Sequence, residues 1–245
     1  MWEFTTIINI KYKRYLNYIL REIGLSKINV ISVLSFDSDL AKLTIAVDVK
    51  SMQKLANILV DAICNVILLV HKKQYFKNNI NLSKLDETSS SAFLKALVMF
   101  DSAIDKQEIK QEIILHKQLN IDSFYNFKLG FLREKWSEIL NIVNANVYIS
   151  NSNNFLELLK FLVNNLDSSV PLINVYFKDN KFIVYDNKNR PIKLKDVEET
   201  NEANLISQLI ELSPKVINLY CSKNLSTSTF KVIYYLFDKK INLIN

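Results

Sequence analysis

"INVISVLSFDSDLAKLTIAVDV", residues 28–49, decides how the N-terminal third is read. Residues 28–36 and 41–49 are apolar runs rich in β-branched side chains, and Asp37-Ser38-Asp39 between them is a turn signal. They read as two successive strands about that turn. Working outward, "FTTIINI" at 4–10 reads as a further strand. "YKRYLNYILREIG" at 12–24 reads as a helix with Gly24 as its C′ residue. "SMQKLANILVDAICNVILLVHKKQYF" at 51–76 reads as a long helix with Ser51 as its N-cap. The order β-α-β-β-α defines a small α/β unit over residues 1–78.

The hydrophobic period then changes twice. Residues 79–166 read as a central helical region, carried by segments 88–101, 105–119, 121–143 and 153–166. Residues 167–245 return to mixed patterning. "LINVYFKDNKFIVYD" at 172–186 predicts a β-hairpin turning at Asp179-Asn180. A helix over 201–212 is stopped by Pro214. A strand over 215–221, a helix over 227–238 and a strand over 241–244 complete a C-terminal α/β unit. The fold class is therefore α+β. With no internal repeat and no Pro/Gly-rich linker, the three regions are expected to pack together rather than hang on tethers.

Composition narrows the chemistry. A hydrophobic content of 49% and a charged content of 23% are those of an ordinary globular protein. The net charge of +6 comes from lysine, since arginine occurs only at Arg14, Arg21, Arg133 and Arg190. Lysine, asparagine and isoleucine share AT-rich codons, so much of the basic bias reads as genome composition. Residues 1–80 nonetheless hold 11 basic against 6 acidic side chains, which makes this third the natural electrostatic surface. Glycine occurs only at Gly24 and Gly130, which excludes a Rossmann fingerprint and a Walker loop. Cys64 and Cys221 lie far apart in apolar contexts and form neither a disulfide framework nor a zinc motif. Glu112 and His116 are four apart and could share a helix face, but no third ligand follows in metal spacing. No cofactor is implied. The N-terminus lacks the order of a secretory signal. The apolar run 55–70 is broken by Asn57, Asp61 and Asn65, and reads as a buried helix too short and polar to span a bilayer. The expected location is the cytoplasm.

"IDSFYNFKLGFLREKW", residues 121–136, concentrates five rings and three basic side chains. On a continuous helix over 121–143, Phe124, Tyr125, Phe127, Phe131 and Trp136 fall on a broad apolar arc. Arg133 falls opposite, while Lys128 and Lys135 fall inside the arc. The helix is thus read as central, with its rings buried and its lysines snorkelling to water or to an acid. Gly130 is read as admitting a close neighbour. The alternative is a basic, aromatic-flanked groove for nucleic acid or an acidic partner. "NLSTSTF" at 224–230 stands before a helix, where Ser226 and Thr227 either cap it or help hold an anion. The serines of "ETSSS" at 87–91 are read as caps in the same way. Asp101, Asp105 and Glu108 are read as charges that favour a helix start.

"IDSFYNFKLGFLREKWSEIL", "FLELLKFLV" and "EANLISQLIELSPKVINLY" occur in the order and spacing of the YtxC-like sporulation proteins of endospore-forming Firmicutes, and the chain resembles that family most clearly over residues 105–221. Ser123 and Lys128 stand where that family usually shows Gly and Arg. The resemblance implies a cytoplasmic, sporulation-linked protein and brings no catalytic residue with it. The expected function is that of a non-enzymatic interaction or regulatory protein with a protein partner. The alternative is nucleic-acid binding through Lys11, Lys13, Arg14, Lys72, Lys73 and Lys77. A third hypothesis, an enzyme acting on a phosphorylated ligand near Ser226, rests on the anion-site argument alone. Candidate binding residues are Lys128, Arg133, Lys135, Lys72, Lys73 and Lys77.

Overall fold

The computed structural model describes residues 1–83, 85–147, 152–168, 170–192 and 201–244. In chain order the elements are β1 (Trp2–Asn9), α1 (Arg14–Leu25), β2 (Ile31–Phe36), β3 (Leu40–Val47), α2 (Met52–Ile67), α3 (Lys73–Asn79), α4 (Glu87–Met99), α5 (Ser102–Glu112), β4 (Gln118–Asn120), α6 (Ile121–Lys128), α7 (Gly130–Val147), α8 (Ser152–Asn164), β5 (Leu172–Lys178), β6 (Lys181–Asp186), α9 (Glu202–Leu212), β7 (Val216–Leu219), α10 (Thr227–Phe237) and β8 (Ile241–Leu243). The fold is α+β, with two separate four-stranded sheets. The chain clusters into two compact units, Met1–Tyr75 with Ser102–Glu138 and Phe76–Asp101 with Ile139–Asn245. The helices between residues 79 and 166 are shared out between them.

In the first unit the strand order is β2-β3-β1-β4. The two expected strands form and pair as a hairpin, β2 antiparallel with β3 from Ile31↔Ala46 to Phe36↔Ala41. β3 alternates strictly, so Ala41, Leu43, Ile45 and Val47 face the core while Lys42 and Thr44 face away. β1 supplies Phe4 and Ile8 to the same buried side through its register with β3. α1 and α2 pack together, α1 burying Leu16, Ile19 and Ile23 and α2 burying Leu55, Leu59 and Ile63. β4 adds a short parallel strand along β1, Thr5↔Gln118 to Ile7↔Asn120.

In the second unit the order is β6-β5-β7-β8. β5 and β6 form the predicted hairpin. Asp179 and Asn180 both have positive φ, as a two-residue primed turn requires. β7 lies parallel to β5, and β8 parallel to β7. α9 ends at Ser213, which takes a left-handed conformation ahead of Pro214. α4 packs on α9, and Lys95 and Glu211 form a buried ion pair between them.

Several local expectations are corrected. The apolar arc over 121–143 is two helices, broken at Leu129 (φ −104°, ψ 34°). Phe127 and Phe131 are exposed, Phe127 to 85%, whereas Phe124, Tyr125 and Trp136 are buried as expected. Gly130 admits no close neighbour, since a Cβ there would meet only the Arg133 guanidinium at 3.6 Å. Gly24 lies within α1, and the left-handed residue beyond the helix is Lys27. Ser51 makes no side-chain cap; Asp48 caps the preceding 3-10 turn instead. Asp86, not a serine, caps α4 by accepting from the Ser89 N–H. Helical structure runs without interruption over Val49–Asn79, through a π-helical turn at Leu68–Lys72. That stretch is long and apolar enough, by length and composition, to cross a membrane, contrary to the shorter reading; 56% of its apolar window is buried in the fold.

Candidate functional site

Lys72 and Asp105 are both fully buried in the first unit. The sequence brings them there in different ways. Lys72 closes the π-helical turn after the apolar run 66–70, which carries its stem inward. Asp105 stands one turn before Ile109 on the buried side of α5. The Lys72 ammonium lies 2.6 Å from Asp105 Oδ2. The Trp136 indole N–H donates to the same oxygen at 3.1 Å. Lys135 lies 3.2 Å from Asp105 Oδ1 and donates to Glu108 at 3.1 and 3.3 Å. Two lysines are thus balanced by two carboxylates. Burial works against the Lys135 ammonium, but its bonds to Glu108 and the charge of Asp105 outweigh this and raise its pKa above the ordinary lysine value.

A layer of rings adjoins this network. Tyr125 stacks on Trp136 with centroids 6.1 Å apart and on His71 at 4.2 Å. The Tyr75 hydroxyl donates to the Arg133 carbonyl at 3.1 Å, and the Arg133 guanidinium lies 5.5 Å from the Tyr125 ring. Asp122 Oδ2 accepts from the Asn9 N–H at 2.6 Å, while Oδ1 stands 3.5 Å from His71 Nε2. Burial pushes the His71 pKa down to about 4, against the pull of Asp122, so the imidazole is neutral at physiological pH.

This arrangement brings together Lys72, Arg133 and Lys135, and leaves Lys128 and Lys77 exposed at helix ends. Lys73 is partly exposed. Lys72 is the clear correction: its ammonium faces an internal carboxylate and has no access to a phosphate in solvent. Asp105 was legible only as a helix-opening charge, yet it anchors the network. A usable signal was its spacing of four from Ile109, on the apolar side of a short helix. A group acting in acid–base catalysis must reach the proton it transfers. Lys72 and Asp105 are both fully buried and face each other, with Trp136 and the partly exposed Lys135 also on Asp105.

Glu202 accepts from the Ser226 N–H at 2.7 Å and from the Ser226 and Thr229 hydroxyls, so a carboxylate of the chain itself fills the N-terminus of α10. Burial opposes its charge, but these bonds prevail and lower its pKa. The Cys64 and Cys221 thiols are buried, and desolvation pushes them up to about 12 and about 11. His116 lies beyond the last residue of α5, so it shares no helix face with Glu112. Among the described residues no three His, Cys, Asp or Glu side chains converge as metal ligands.

β2 contrasts with this closed interior. It is an edge strand, and Ile31, Val33 and Phe36 are 69%, 59% and 55% exposed. Its sequence, ISVLSF, carries no charge and no proline. Lys13 is exposed beside it, its ammonium 5.8 Å from the Phe36 ring, and Lys11 and Arg14 are exposed on either side of Lys13 in the chain.

These features define a two-unit α+β protein with an internally neutralised ion network and an open apolar strand edge. The chain belongs to the YtxC-like family, whose profile matches residues 53–242. No curated protein and no solved structure matches it.

Proposed function

We propose that this protein is a non-enzymatic, cytoplasmic interaction factor in sporulation, and that β2 is its docking edge. The sporulation link and the cytoplasmic setting rest on the family resemblance. The observation that carries the docking edge is the bare, uncharged strand. Soluble proteins protect sheet edges with charge, proline, bulges or cover, and β2 has no charge or proline and stands exposed. An extended segment added to β2 would satisfy its free backbone groups and cover Ile31 and Val33. Lys11, Lys13 and Arg14 favour a segment that also carries acidic side chains. Nucleic-acid binding by the same unit would keep these three residues but not the buried Lys72.

The test is a photo-crosslinking residue at Val33 in the native host during sporulation. The expected product joins the chain to one different protein and disappears when Ile31 is changed to Lys. Crosslinks only to a second copy, or none at all, would remove the docking edge. Normal sporulation of a deletion strain would remove the sporulation link independently.

A further inference from the structure

The outward face of the second unit's sheet has an ordered composition. In β5 and β7 the inward positions Ile173, Val175, Ile217 and Leu219 are buried. The register sets the outward positions into rows across the strands. One row runs Tyr185, Asn174, Asn218, Asn242. The next runs Ile183, Tyr176, Tyr220, the last placed by its N–H bond to the Val175 carbonyl. The last pairs Lys178 with Lys181 at the hairpin tip.

Each row offers a different chemistry. Tyr176 and Tyr220 stack at 4.5 Å with their planes 10° apart, and Tyr220 is 41% exposed. The Asn218 amide donates to Asn174 Oδ1 at 2.9 Å and the Asn242 amide to Asn218 Oδ1 at 3.1 Å, so the row ends on the exposed Asn242. Lys178 and Lys181 are exposed and stand directly opposite each other, an arrangement of like charges that weakens a sheet unless an anion sits between them. The strand positions of these rows carry no carboxylate. A groove of about 400 Å³ opens here, lined by Tyr176, Phe177, Lys178, Ile183, Tyr185 and Asn189. That volume suits a base-sized group.

We propose that this face binds single-stranded nucleic acid, with bases stacked on the Tyr176–Tyr220 pair, base edges meeting Asn242, and backbone phosphates held by Lys178 and Lys181. Aromatic side chains on an open four-stranded sheet suit unpaired bases, whose faces a duplex hides. Charge complementarity selects a polyanion over a neutral aromatic ligand. The longest row, Tyr185 to Asn242, spans four strands, or about 14 Å, which exceeds one base and favours an oligonucleotide over a mononucleotide.

The test uses the full chain and labelled single-stranded DNA and RNA of roughly 12 nucleotides, followed by fluorescence anisotropy. Binding should be saturable at about 50 mM salt and weaken with a log–log slope near −1.4, the value for about two phosphate contacts on a single strand. Lys178→Glu with Lys181→Glu should weaken binding at least about tenfold and flatten that slope. Tyr220→Ala should weaken it about tenfold and Tyr220→Phe should restore it. Lys11→Glu with Lys13→Glu should leave it unchanged. All of these positions are exposed, and unchanged circular dichroism would show that each variant is folded. Absence of saturable binding, equal loss from the Lys11/Lys13 variant, equally tight duplex binding, or competition by a mononucleotide at oligonucleotide concentrations would each overturn the proposal.

Discussion

Asp105 shows what a buried charge does for a unit of this size. Taking a carboxylate and an ammonium out of water is costly, and their attraction recovers that cost only while both are present. Asp105→Asn is therefore expected to destabilise the first unit by about 3–5 kcal/mol, because it strands the Lys72 ammonium in the interior. Lys72→Met combined with Asp105→Leu should cost far less. Both tryptophans, Trp2 and Trp136, lie in the first unit, so their fluorescence in a urea titration reads this unit alone. His71 supplies a second prediction. Its pKa falls from an ordinary 6.5 to about 4 on folding, chiefly through desolvation. The unfolded chain then takes up a proton that the folded one refuses. Stability is full above about pH 6.5 and is lost as pH falls toward 4, by at most about 3 kcal/mol. His71→Phe, which keeps a ring against Tyr125, should flatten the tryptophan-detected stability between those pH values; an unchanged slope would show that another group titrates there. Beyond the spacing of Asp105 from Ile109, the sequence carries little sign of these roles. A lysine after an apolar run and an aspartate in a short helix look like surface charges until the fold sets them 2.6 Å apart.

Periodicity did better with strands than with the aromatic helix. In β3 burial alternates at every position, with the polar Lys42 and Thr44 on the outer face and Leu43, Ile45 and Val47 on the inner one, since a strand has only two faces and one of them is the core. The stretch 121–143 misled because a wheel assumes one continuous axis. Leu129 leaves the helical conformation, and α7 begins anew at Gly130. Residues beyond the break widen the arc artificially; within α6 alone only Ile121, Phe124 and Tyr125 are buried, and Phe127 faces solvent. The Arg133 guanidinium donates back to the Asn126 carbonyl at 3.2 Å, tying the end of α6 to the start of α7. Gly130 has negative φ, and a methyl there would meet only the Arg133 guanidinium at an ordinary van der Waals distance of 3.6 Å, so nothing in the fold requires glycine. Gly130→Ala is expected to stabilise the first unit by about 0.4–1 kcal/mol by restricting the unfolded chain. Gly24, inside α1 with nothing within 4 Å of the place a methyl would take, should respond alike. A loss of stability at either site in urea unfolding would mean that these backbones need the freedom of glycine.

At the scale of the whole molecule, sequence order and spatial grouping part company. Patterning locates elements but says nothing about long-range pairing, so β4, three residues with no strand signature of their own, went unread. Yet β4 pairs with β1 from a position more than a hundred residues away, Thr5 opposite Gln118. α5 and the start of α7 bring Asp105, Glu108, Lys135 and Trp136 to Lys72. The first 78 residues contain a complete β-α-β-β-α pattern and lack all of these partners. A polypeptide of residues 1–78 would hold Lys72 without its carboxylate and leave the β1 edge unpaired beside the bare β2 edge. It is expected to be poorly folded and prone to associate. Residues 1–75 joined by a flexible linker to 102–138 restore the ion network and the fourth strand, and should show dispersed amide resonances and one cooperative tryptophan-detected transition. If the shorter polypeptide folds as cooperatively as the joined one, the buried network is dispensable. The lysine at its centre would then have to find water in the absence of Asp105, which a deuterium-exchange comparison of the two polypeptides around Leu68–Lys72 would reveal directly.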